Sequence, residues 1–181
     1  SLLGVAVNTA VLAGWLLPCR LLKSVLPGLA TMKVNTACGF LGAGVALWIL
    51  HSPAPEPRLL RLARGLSVFV AVLGGVTLAE DLFTLDFGID QLILSDDPQP
   101  AGIAPGRMSP ATALNFLVVG FALSAFKASR PGLAAWSHWL GGPPLFCSTL
   151  AIVGDTYGVP STNQVGIFLA MALQTDIYFS V

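Results

Sequence analysis

The sequence predicts an all-α fold: a polytopic transmembrane bundle of about six helices, built from two or three repeated helical hairpins. Three observations predict it. Only 10% of the residues are charged and 55% are hydrophobic, where soluble domains carry about 25% charged residues. Too few charges remain to coat a globule, and mean hydropathy is +0.79. The apolar residues come in blocks rather than in period-two alternation, which excludes a membrane barrel. Finally, the chain repeats itself: MKVNTACGFLGAGVAL (32–47) and MSPATALNFLVVGFAL (108–123) share eight of sixteen aligned residues.

A hydrocarbon core of about 30 Å needs roughly 20 helical residues. Six segments approach that length: Leu2–Leu17, Asn35–Leu50, Leu66–Leu85, Pro110–Phe126, Leu140–Val153 and Gln164–Ser180. In lipid every backbone group must be satisfied internally, so each is expected to be helical. The breaks carry helix-ending chemistry: Pro18 and Pro27-Gly28, SPAPEP (52–57), DDPQPAGIAPGRMSP (96–110) and RPG (130–132). Ser109-Pro110 reads as an N-cap followed by proline at the first helical position. FGIDQLIL (87–94) is too short to span and reads as a surface-lying segment over one end of the bundle.

Arg58, Arg61, Arg64, Lys127 and Arg130 fall between the second and third and the fourth and fifth segments, which places those loops and both chain ends in the cytoplasm. Arg20, Lys23, Lys33 and Arg107 dissent from that orientation. The connection carrying Asp86, Asp90, Asp96 and Asp97 then lies outside.

The repeat sits on the second and fourth segments, so the unit is a hairpin (about 1–51, 58–127 and 132–181) within one integral-membrane domain, and its copies run parallel. On a helical wheel, seven of the eight repeated positions fall on one half of the circumference. Thr36, Phe40 and Gly44, with Thr112, Phe116 and Gly120, mark that face. It is read as a helix-packing face, the glycines allowing close approach and the threonines bonding back to the preceding turn. A shared ligand-binding face is the alternative.

MKVNTACGFLGAGVALW, LFTLDFGIDQLIL and PGRMSPATALNFLVVGFAL together resemble the N-terminal membrane-associated sensor region of bacterial signalling proteins. The resemblance is strongest from Pro27 to Phe126. It implies an input module of the bacterial inner membrane, preceding PAS, histidine-kinase or diguanylate-cyclase modules, and it brings no catalytic residues. A cytoplasmic effector domain is then expected on a longer chain.

Two clusters offer candidate chemistry. Glu80, Asp81, Asp86 and Asp90 gather at a membrane boundary, where carboxylates bind a divalent cation, titrate with pH, or simply solvate a helix end. His51 and His138 lie at matching depth and are candidate ligands for a haem or other tetrapyrrole; interfacial histidines also occur without any cofactor. Trp15, Trp48, Trp136 and Trp139 suit an aromatic belt. Cys19, Cys38 and Cys147 are widely spaced thiols with no metal-binding pattern. Neither a nucleophile triad nor a phosphate loop is present, and charges balance to zero, so the chain reads as non-enzymatic with no nucleic-acid partner. Its expected partners are the lipid bilayer and a homo-oligomer or larger membrane complex. The alternative function is an accessory structural subunit of a respiratory or photosynthetic assembly.

Overall fold

The computed structural model describes residues 2–16, 32–91, 105–126 and 131–156. These form α1 (Leu2–Leu16), α2 (Val34–His51), α3 (Pro57–Phe83), a 3-10 turn (Ile89–Gln91), α4 (Pro110–Ala125), α5 (Pro131–Trp139) and α6 (Gly142–Thr156). The fold is all-α, with no strand among the described residues. α2 and α3 are long and apolar enough to cross a membrane, and α4 is a shorter apolar helix.

Two boundaries differ from the sequence expectation. α3 begins at Pro57 rather than Leu66. Pro57 supplies the fixed φ of a first helical turn, and Arg58, Arg61 and Arg64 recur at i+3 on an exposed face while Ala63 is buried. Arginine is a good helix former, so this basic stretch is a helical face and not a loop. The fifth segment, Leu140–Val153, corresponds to α6, and a further helix, α5, occupies Pro131–Trp139 ahead of it, where Pro131 opens a helix in what reads as a connection. The sixth predicted segment, and the second half of the third hairpin (157–181), lie outside the described residues.

α3 and α4 form the most extensive helix contact, followed by α2 with α3 and α1 with α2; α5 and α6 pack against α4. The α3–α4 contact is close because glycine faces backbone on both sides. A Cβ on Gly120 would run into the backbone of Ala71, and one on Gly74 into the Ala113 carbonyl and the Leu117 amide. Such close approach of the two backbones lets dispersion hold the pair together.

The core has two parts. Val11, Met32, Phe40, Val70, Met108 and Phe116 fill one. Ala46, Ile49, Leu50, Ala63 and Leu123 fill the other. The two halves of the repeat meet here. Phe40 and Phe116, equivalent in the repeat, contact edge to face with centroids 4.9 Å apart at 67°. Thr36, Phe40, Thr112, Phe116 and Gly120 are buried, and Gly44 is half-buried. The tight glycine of α2 is instead Gly39, whose missing Cβ leaves room for the Phe116 ring. Thr112 does not bond back to the preceding turn; its hydroxyl pairs with the Ser109 hydroxyl at 2.9 Å.

Polarity is distributed inside out. Leu62, Val68, Phe69, Val72 and Phe121 are exposed on α3 and α4, whereas Asn35, Ser67, Thr77, Glu80, Thr112 and Asn115 are buried. Ser67 satisfies itself on the Ala63 carbonyl at 2.8 Å, as Ser124 does on Gly120.

Candidate functional site

The polar residues concentrate where α3 ends, α2 begins and α4 begins. α3 stops at Thr84, which takes a left-handed φ of 52°. The Leu85 N–H returns to the Glu80 carbonyl at 3.0 Å, closing the helix end. The chain then doubles back, so that the Phe87 N–H donates to Glu80 Oε1 at 2.7 Å. Asp86 stays exposed and accepts from the Gly88 N–H at 2.9 Å, a local turn at a glycine with φ 70°. The 3-10 turn follows and carries Asp90 inward. Asn35 of α2 donates to the Ile89 carbonyl at 3.2 Å and ties this turn to a second helix.

The third helix is tied by Arg107. Its Nε donates to Asp90 Oδ2 at 2.7 Å, and its terminal nitrogens lie 3.5 Å from Asp81 Oδ1 and 3.8 Å from Glu80 Oε1. It also donates to the Leu85 carbonyl at 3.2 Å. Gly106 lets the guanidinium in: its φ is 77°, and any Cβ there would strike the Asp90 carbonyl. Two residues later Ser109 caps α4, its hydroxyl accepting from the Thr112 N–H at 3.3 Å. One arginine thus joins the end of α3, the connection and the start of α4.

The Glu80 side chain is fully buried, Asp90 is 5% exposed and Asp81 is 22% exposed, against one guanidinium at 13%. Burial pushes Asp90 above the ordinary aspartate range despite its bond to Arg107. Burial also works against the Arg107 charge, but the Asp90 hydrogen bond and the surrounding carboxylates outweigh it and hold the guanidinium above its usual value.

The expected cation site at Glu80, Asp81, Asp86 and Asp90 takes a different form. Glu80, Asp81 and Asp90 converge on Arg107, while Asp86 turns outward, and no group of three or more His, Cys, Asp or Glu among the described residues is disposed to hold a metal ion. A guanidinium occupies the position a cation would need, and its charge repels one. Sequence reasoning misses the role of Arg107, which reads there only as a loop charge dissenting from the orientation. Its signal was available: one arginine in an otherwise acidic connection.

His51 sits at the opposite end of α2. Its Nδ1 lies 3.3 Å from the Leu47 carbonyl and its ring stacks on Phe126 at 6.0 Å and 13°. With Trp48, Pro55 and Leu59 it borders a cleft of about 350 Å³. His138 lies on α5, and its side chain is outside the described atoms, so no tetrapyrrole-ligating geometry can be drawn for the pair. Trp48, Trp136 and Trp139 are exposed, but Trp15 does structural work: its Nε1 donates to the Met32 carbonyl at 3.0 Å and joins α1 to the start of α2. Comparison with protein-family models, curated proteins and solved structures finds no match to the chain.

Proposed function

We propose that the chain is a membrane-embedded, non-catalytic input module of a bacterial signal-transduction protein, lying in the inner membrane with a cytoplasmic effector beyond it. The observation that carries this reading is the inside-out polarity joined to the Arg107 cap. Apolar side chains face outward on α3 and α4, where lipid would solvate them. At one end of the bundle a single ion-paired knot holds three helix termini. A change there moves α2, α3 and α4 together, which is what an input element must do: couple a local event to an alternative packing only a few kcal/mol away. The resemblance to membrane-associated sensor regions supports the same reading.

Intact mass of the native protein, with peptide mapping at both ends, tests it. A chain continuing hundreds of residues past Val181 into a kinase or cyclase module is the expected result. A mature chain near 18.8 kDa would contradict it and favour an accessory subunit of a larger membrane complex.

A further inference from the structure

We propose that the Arg107 cap is a proton-binding site, with Glu80 holding the proton at neutral pH while the cap is closed. The cap holds a surplus of buried acceptors. Glu80, Asp81 and Asp90 bring three carboxylates to one guanidinium. Arg107 and the Phe87 amide engage one oxygen of each, leaving Glu80 Oε2, Asp81 Oδ2 and Asp90 Oδ1 buried without a hydrogen-bond partner. An ionised oxygen left so is unfavourable, and like-charged carboxylates sharing one site cannot all ionise.

Three observations place the proton on Glu80. Its side chain alone has no solvent exposure, and it lies farthest from the guanidinium, at 3.8 Å against 2.7 Å for Asp90 and 3.5 Å for Asp81. Its Oε1 is committed to the Phe87 N–H, so the proton resides on Oε2. Thr77, one turn earlier on the same face of α3, is also fully buried with an unpartnered Oγ1. Among the described residues, the charged groups around this site are Asp81 on α3 itself, Asp86 and Asp90 on the connection and Arg107 before α4. Lys33 heads α2 at the same end, and α4 presents only the uncharged Ser109 and Thr112.

Opening the cap exposes Glu80 to water, where an ordinary glutamate ionises near pH ~4.3. The proton then leaves to bulk solvent. Closed and open caps therefore differ by one bound proton, and acidification favours the closed packing. This follows from the cap geometry and holds whether or not the bundle drives an effector.

The test is infrared spectroscopy of the reconstituted protein, following the C=O stretch of protonated carboxyl groups. The wild type should show that band at neutral pH and lose it on alkaline titration. Glu80→Gln should abolish it, while Asp81→Asn and Asp90→Asn keep it. A wild type without the band at neutral pH overturns the proposal with no variant required. A band that survives in Glu80→Gln overturns the assignment to Glu80.

Discussion

Replacing Arg107 by methionine removes the one cation from a site that holds three carboxyl groups. The side chain length and most of the apolar stem are kept, so the change falls on charge and hydrogen bonding. Lost are the 2.7 Å bond to Asp90, the pairings with Asp81 and Glu80 at 3.5 and 3.8 Å, and the bond to the Leu85 carbonyl at 3.2 Å. Breaking a buried pair by removing one partner costs about 3–5 kcal/mol. Arg107 retains 13% of its side-chain exposure, which puts the expectation at the lower end, about 3 kcal/mol. For a chain of this size that lowers Tm by roughly 6–12 °C, measured by thermal unfolding in detergent micelles. The deficit should shrink at acid pH. Without Arg107, burial and the Asp86 charge act on Asp90 against the weaker pull of Asn35, so its folded pKa stands still further above the unfolded value. Such a group contributes stability below the unfolded pKa and loses it as pH rises through the folded pKa, so the variant gains on acidification. Adding Asp90→Asn should restore part of the loss at neutral pH. A loss under about 1 kcal/mol, or no rescue by Asp90→Asn, would refute the claim that Arg107 holds the cap.

Three further substitutions probe the geometry around it. Gly120→Val should disrupt the α3–α4 contact, because its side chain would enter the Ala71 backbone; the expected loss is about 3 kcal/mol or more, read as a collapse of Tm or of folded yield. Thr84→Gly should raise stability by up to about 1 kcal/mol, since a β-branched residue at φ 52° carries a strain that glycine lacks; denaturant unfolding with an unchanged or lower midpoint would count against it. Ser109→Ala removes the cap of α4 and should cost about 1 kcal/mol, with faster amide exchange at Thr112 as its local signature.

The helices read well from the sequence where apolar runs met clear stops. α2 and α4 fall within a residue of their expected ends, and the Ser109 cap is where Ser-Pro placed it. α3 was read short because arginines at 58, 61 and 64 resemble a basic loop, although their spacing of three is helical. The repeat marked the buried face but misplaced one contact: Gly44 is half-buried and Gly39 takes the Phe116 ring. Position within a stripe is set by rotation of the whole helix, which spacing alone does not fix. The cap was legible as acid residues and hidden as a structure. Asp90 and Arg107 are 17 residues apart, and only the return of the chain over α3, through two left-handed glycines and Thr84, brings them together.

The central claim is that lipid, and not water, covers the outward apolar face. Spin labels at Val68, Val72 and Phe121, in a background lacking Cys19, Cys38 and Cys147, test this directly in reconstituted bilayers. The account predicts relaxation by dissolved oxygen and little by a water-soluble nickel complex at all three positions, with the reverse at Asp86. Strong nickel accessibility at Val68, Val72 and Phe121 would place that face in water and contradict the membrane-embedded bundle.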